Sequence, residues 1–242
     1  MIREWTPEAW ANYCLANPAR KAKTQRDCRL IDELLAQIPG QKILEAGCGY
    51  GRLTPLLQEA SPLAVMDAEL GMVQAVCKAI PKVRWGFVAD IERLPLHSKT
   101  FDAVLCVGVL MHVRNPLRAI EQIAEAVKPE GKLLISWNNL CSPWSVLLGA
   151  WSIRPGALRQ RFLGRGAILK LLHRLGFTVR QVRGDALLPL AAAIPGTKRS
   201  LWPSWLWKWA IRLEQWPGGH RLLGHLGYEL FALAERGREQ PF

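Results

Sequence analysis

Among the six cysteines (Cys14, Cys28, Cys48, Cys77, Cys106 and Cys141) no two form a C-x-x-C pair, and no histidine stands at metal-ligand spacing from them. That argues against a zinc site and against a secreted disulfide framework. The N-terminal segment MIREWTPEAW lacks an apolar core of signal-peptide length, so a cytoplasmic protein is expected. Low-complexity stretches and internal repeats are absent. The uncharged run 133–153 spans 21 residues, long enough to cross a bilayer. Asn138, Asn139 and Pro143 interrupt it, and its first half reads as a buried strand leading into a loop.

Acidic side chains are scarce in the last third. Residues 1–150 carry 17 basic and 15 acidic side chains; residues 151–242 carry 15 and 5, which places +10 of the +12 formal charge there. With 50% hydrophobic and 21% charged residues, the 242-residue chain has the balance of a folded globular protein, and this length suits a single α/β domain. Three parts are expected: an N-terminal helical cover (1–40), a ligand-binding core (41–140) and a second half (141–242) with an insert at 184–224.

Apolar positions Cys28, Ile31, Leu34, Leu35 and Ile38 recur at helical spacing over 24–38, and Pro39-Gly40 stops that helix. Strands are predicted at 42–46, 63–67, 83–88, 101–107 and 132–137, with helices at 52–60, 69–80 and 116–127 between them. Beyond these, a helix at 166–175 and strands at 177–183 and 228–235 are expected. Strand–helix alternation at this spacing implies right-handed βαβ units and a parallel sheet covered on both faces. Ligands of such sheets bind beyond the carboxyl ends of the strands, so the loops after Ala46, Asp67, Val88 and Val107 are where chemistry belongs.

The first of these loops reads KILEAGCGYGRL, residues 42–53. Gly47, Gly49 and Gly51 let the backbone turn sharply and approach a ligand closely. The spacing is G-x-G-x-G rather than the dinucleotide G-x-G-x-x-G. Glu45, two positions before the first glycine, repels a pyrophosphate but suits a cationic amino-acid moiety. Asp67, twenty residues beyond Gly47, ends its strand with a carboxylate that can accept two hydrogen bonds from a ribose diol. Asp90 can accept from an adenine amino group, with Ile91 beside the ring. Plain turn and helix-cap roles are the competing readings of these residues.

The segments ILEAGCGYGRL, VMDAELGM, VADIERLPLHSKTFDAVLCVGVLMHV and KPEGKLLISW, in this order over roughly 40–140, resemble the class I S-adenosylmethionine-dependent methyltransferases. The likeness is strongest to the type 11 group that includes the ubiquinone and menaquinone methyltransferases. It implies a Rossmann-like fold with a seven-stranded, mainly parallel sheet and an antiparallel last strand. It also implies S-adenosyl-L-methionine as cofactor and a small-molecule methyl acceptor. Gly47, Gly49 and Gly51, with Cys48 between them, would line the methionine part, and Glu45 would stand near its amino group. Asp67 would serve the ribose, Met72, Asp90 and Ile91 the adenine, Ala68 would also lie against the cofactor, and Val107 would offer backbone near the methionine. Ala89 replaces the glycine common at its position.

His112, five residues beyond Val107, faces the expected acceptor space. It reads either as a base taking a proton from the acceptor or as a residue fixing the loop. An N-P-P-Y-like motif of amino-methylating enzymes is absent at Val107-Gly108-Val109-Leu110. So is the Asp that metal-dependent catechol-type enzymes carry there, and no metal is expected.

Five of the eleven tryptophans fall within 201–216. On a helical wheel Trp202, Trp205, Leu206, Trp209, Leu213 and Trp216 form one stripe, with Lys208, Arg212 and Gln215 off it. The stripe reads as a lid packed over the sheet or active site, as a peripheral contact with an anionic membrane surface, or as a dimer or apolar-substrate contact. Nucleic-acid binding accounts for the charge but not for the stripe. An RNA methyltransferase and a non-catalytic cofactor-binding protein are the rival functions.

Overall fold

The computed structural model describes residues 18–36, 42–57, 62–145, 161–185, 203–214 and 225–238. Helix α1 (Pro18–Leu35) precedes β1 (Ile43–Ala46), a 3-10 turn (Thr54–Leu57), β2 (Leu63–Asp67), α2 (Leu70–Ala79), β3 (Val83–Val88) and β4 (Phe101–Cys106). Then follow α3 (Pro116–Glu125), β5 (Val127–Asn139), the two-residue β6 (Phe162–Leu163), α4 (Arg165–Arg174), β7 (Phe177–Asp185), α5 (Ser204–Glu214) and β8 (Glu229–Arg236).

One sheet runs in the order β3-β2-β1-β4-β5-β8-β7, with β6 pairing β5 off this path. The pairings among β1 to β5 are parallel, whereas β8 lies antiparallel to both β5 and β7. The mainly parallel sheet with an antiparallel last strand is thus as the sequence implies, with β6 as a short addition. Chain order reverses between β1 and β4, and the crevice beyond their carboxyl ends is the topological switch point of an open sheet.

Strand residues feed two cores by the period of two. Leu44, Ala46, Ala64, Met66, Val104 and Ile135 pack with Ile120 and Ile123 of α3 and Leu171 and Leu172 of α4. Ile43, Leu63, Val65, Leu105 and Leu134 pack on the other face with Ile31 and Leu34 of α1 and Val73 and Val76 of α2. Covering both faces explains why the strands read as continuous apolar runs.

Four sequence expectations change. The helix expected over 24–38 runs Pro18–Leu35, starting earlier and ending before Ile38. The helix expected over 52–60 is a 3-10 turn at Thr54–Leu57, with 58–61 outside the described residues. Pro55 lacks a backbone donor, and the Thr54 side chain is turned inward to Glu45 rather than along a helix. Strand β5 begins at Val127 rather than 132, because Val127 pairs with Phe101 before a register shift. Within it Glu130 takes φ +61°. Strand β7 continues to Asp185, into the expected insert, of which only 184–185, α5 with Pro203, and nothing of Trp202 or Trp216 fall among the described residues.

Candidate functional site

The site is built where the carboxyl ends of β1, β2, β3 and β4 lie side by side. Gly47, Gly49 and Gly51 all take positive φ (+84°, +52° and +82°), the left-handed region that glycine enters without strain. The N–H groups of Gly47 and Cys48 donate to the Met66 carbonyl at 2.8 and 2.9 Å, fastening the loop to the end of β2. A Cβ on Gly47 would collide with the Val109 side chain, so only glycine lets the loop after β4 close against the loop after β1.

Asp67 stands at the tip of β2 and is half-buried. Its Oδ2 accepts from the Gly49 N–H at 2.8 Å and its Oδ1 from the Glu69 N–H at 3.1 Å. These two bonds leave further lone pairs on both oxygens, so the carboxylate stays able to accept from a diol. Ala68 beside it is exposed, and Met72 is buried on the first turn of α2.

Glu45 points into the molecule from β1. It is buried, and its Oε2 accepts from Thr54 Oγ1 at 2.7 Å. Burial raises its pKa to about 7, outweighing the opposing effects of the Thr54 hydrogen bond and the Arg52 charge. Burial likewise holds the Cys48 thiol protonated, with the charges of Glu45 and Asp67 adding to the effect. Cys48 packs in the α1-side core.

After β3, the Ala89 N–H donates to the Asp67 carbonyl at 3.1 Å, which draws the third loop onto the second. Asp90 is exposed and caps its own turn by accepting from the Glu92 N–H at 2.9 Å, while Ile91 is buried. Glu92 Oε1 in turn accepts from the Arg114 N–H at 2.7 Å, linking the loop after β3 to the loop after β4.

In that fourth loop Val107 is buried and Gly108 takes φ +76°. Gly108 donates its N–H to Ser136 Oγ at 2.9 Å. His112 is exposed, its backbone N–H donating to the Val109 carbonyl at 2.8 Å. Asn115 caps α3 by accepting from the Arg118 N–H, with Pro116 in the first helical turn.

Glu45, Gly47, Cys48, Gly49, Gly51, Asp67, Ala68, Asp90, Ile91, Val107 and His112 therefore lie on four loops and strand ends that these hydrogen bonds and the Val109 contact tie together, with Met72 on the first turn of α2. Sequence reading missed Thr54, Arg52, Ser136 and Glu229, which support the loops from beneath. The signal available for Ser136 was a hydroxyl inside the apolar strand LLISW. Among the described residues no group of three or more His, Cys, Asp or Glu is arranged to hold a metal ion.

Residues 44–135 match the family model described as "Methyltransferase domain". The demethylmenaquinone methyltransferase of Renibacterium salmoninarum is 29% identical over 116 residues, covering 47% of this chain and 48% of that protein. The tRNA U34 carboxymethyltransferase of Syntrophotalea carbinolica is 29% identical over 108 residues, covering 42% and 33%. The chain spans about half the length, or less, of these curated relatives. Among solved structures, a putative methyltransferase in complex with the Trm112 methyltransferase activator of Haloferax volcanii covers 100% of both chains at TM-score 0.68 and 19% identity. The magnesium protoporphyrin IX methyltransferase of Synechocystis, solved with bound S-adenosylhomocysteine, covers 94% and 93% at TM-score 0.63 and 19% identity. The fold is thus the Rossmann-like one of these solved methyltransferases, and residues 44–135 resemble a methyltransferase domain.

Proposed function

We propose that the protein transfers a methyl group from S-adenosylmethionine to a small acceptor of apolar or lipid-linked character. The observation that carries the reading is the three positive-φ glycines locked onto the tip of β2, with Asp67 beside them. The loop's close backbone approach suits the methionine end, Asp67 the ribose hydroxyls, and Met72, Asp90 and Ile91 the adenine. Val107 offers backbone near the methionine. The buried Glu45 suits an ammonium group near it.

The sulfonium of the bound cofactor is an activated electrophile, so alignment and exclusion of water supply most of the rate. The chain's part is to hold the loops after β1 and β4 against each other, which the Gly47–Val109 contact does. His112 would take the acceptor's proton. A His112→Ala variant that keeps the wild-type kcat makes it a loop residue instead.

Calorimetry with S-adenosylmethionine, S-adenosylhomocysteine and NAD tests the cofactor. Binding of the first two and not of NAD is expected; NAD binding alone would sink the reading.

Exposed Trp205 and Trp209, at 68% and 55%, favour an acceptor approached from a lipid surface. They lie four residues apart on α5, with exposed Lys208 and Arg212 on the same helix. No helix among the described residues is long and apolar enough to cross a membrane, and the contact we propose is peripheral. An RNA acceptor is the second reading, favoured by the +10 charge of residues 151–242 and by the relative that acts on tRNA. Steep salt dependence of RNA binding would support it, and methylation of extracted small molecules in RNA-free conditions would count against it.

A further inference from the structure

Arg52 directly follows the last loop glycine and has no place in the cofactor set described above. Its Nη1 donates to Asp27 Oδ2 at 2.9 Å. Asp27 sits on α1 with its side chain 2% exposed, and the Arg52 side chain is 20% exposed. The guanidinium also feels the charge of Glu229, at the start of β8. Glu229 is buried and accepts from Ser136 Oγ at 2.7 Å, the same hydroxyl that accepts from the Gly108 N–H. A Cβ on Gly108 would stand 4.0 Å from Arg52 Nη2.

The guanidinium therefore links three parts: it pairs with helix α1, it follows Gly51 of the cofactor loop, and it stands near the acceptor loop at Gly108. A buried ion pair adds little net stability relative to apolar packing, but removing one partner is costly because it strands the other charge. Such a pair serves well to fix one arrangement of elements. Arginine suits the place because its planar fork donates in several directions at once. Ile31 and Leu34 already seat α1 on the sheet, so the ion pair adds a second tie between the helix and the loops.

We propose that Arg52 is a positioning residue that couples the seating of helix α1 to occupation of the cofactor loop. This rests on the S-adenosylmethionine reading of that loop. Cofactor filling the loop orders Gly51 and Arg52, the ordered guanidinium holds Asp27, and α1 closes over the site. Linkage requires the converse: an anchored α1 raises cofactor affinity by the same factor.

The test measures hydrogen–deuterium exchange over residues 18–35, with and without S-adenosylhomocysteine, and the affinity for that ligand by calorimetry. In wild-type protein the ligand should slow exchange in α1. In Arg52→Gln and in Asp27→Asn the ligand-dependent protection should vanish, and affinity should fall about tenfold. The double variant should be no worse than either single one, because both changes break one link. Should Arg52→Gln fail to fold, Asp27→Asn carries the same expectations while keeping the side chain's shape.

A merely structural pair would speed exchange equally with and without ligand and leave affinity unchanged, and that result overturns the proposal. Wild-type protein that binds the ligand without protecting α1 overturns it too, leaving the cofactor reading intact. Wild-type protein that binds no S-adenosylhomocysteine overturns both.

Discussion

Asp67 serves two ends at the tip of β2: it holds Gly49 in place and keeps lone pairs for a ligand. Asp67→Ala should weaken S-adenosylmethionine binding by about 1.5–3 kcal/mol, the scale for losing hydrogen bonds to a charged acceptor. Calorimetry on a variant that keeps its melting transition checks this; unchanged affinity would move the ribose contact elsewhere. Glu45 makes a prediction in pH. Its pKa in the folded state, about 7, lies above the ordinary 4.5. Between those values the folded state binds the extra proton, so this residue's contribution to stability falls as pH rises from about 4.5 to about 7. The full difference amounts to about 3 kcal/mol. Glu45→Gln should be more stable than wild type at pH 8 and lose that advantage toward pH 4.5, as read by urea unfolding at each pH. An equal difference at both ends would show that the carboxyl ionises normally. Cys106, whose thiol burial pushes up to about 12, and Cys48 should resist alkylation in the native state, whereas exposed Cys77 and Cys141 react.

At the scale of elements, the loops matter more than the strands that carry them. Ser136 on β5 bridges Glu229 on β8 and Gly108 in the loop after β4. Ser136→Ala leaves a backbone N–H and a buried carboxylate without that partner. It should cost about 1–3 kcal/mol in urea unfolding, the penalty for orphaned buried polar groups. A loss under about 0.5 kcal/mol would mean that water replaces the hydroxyl. Most element positions were legible beforehand. Predicted 63–67 and 83–88 are β2 and β3 unchanged, and the ends of α2, α3, α4 and β8 moved by only one or two residues, because apolar runs and punctuating Gly, Pro and Asn are local signals. The 52–60 segment was misread because Thr54's partner, Glu45, lies nine residues away on another element. Periodicity carries no information about that bond.

For the whole molecule, the basic C-terminal third carries +10 of the +12 formal charge and so favours an anionic partner. Each basic group near an anionic bilayer adds about 1 kcal/mol at most, and an interfacial Trp adds apolar contact. Weak, salt-sensitive binding to anionic vesicles is therefore expected, with a blue shift of Trp fluorescence. Paired Trp205→Ser and Trp209→Ser changes should abolish it while leaving cofactor affinity intact. Wild-type protein that stays in the supernatant when anionic vesicles are pelleted at low salt would leave these tryptophans to another partner.

The alternating α/β order, the glycine loop and the acidic strand ends that follow it were legible in the order of residues alone. Each of these is written in neighbouring residues, by the period of two, by φ freedom and by strand punctuation. That Gly47 must be glycine because of Val109, that Glu45 is buried beneath the loop, and that Arg52 joins Asp27 emerged only in the folded chain. These depend on contacts between residues separated along the chain, whose energies arise from burial and proximity that the folded sheet alone creates.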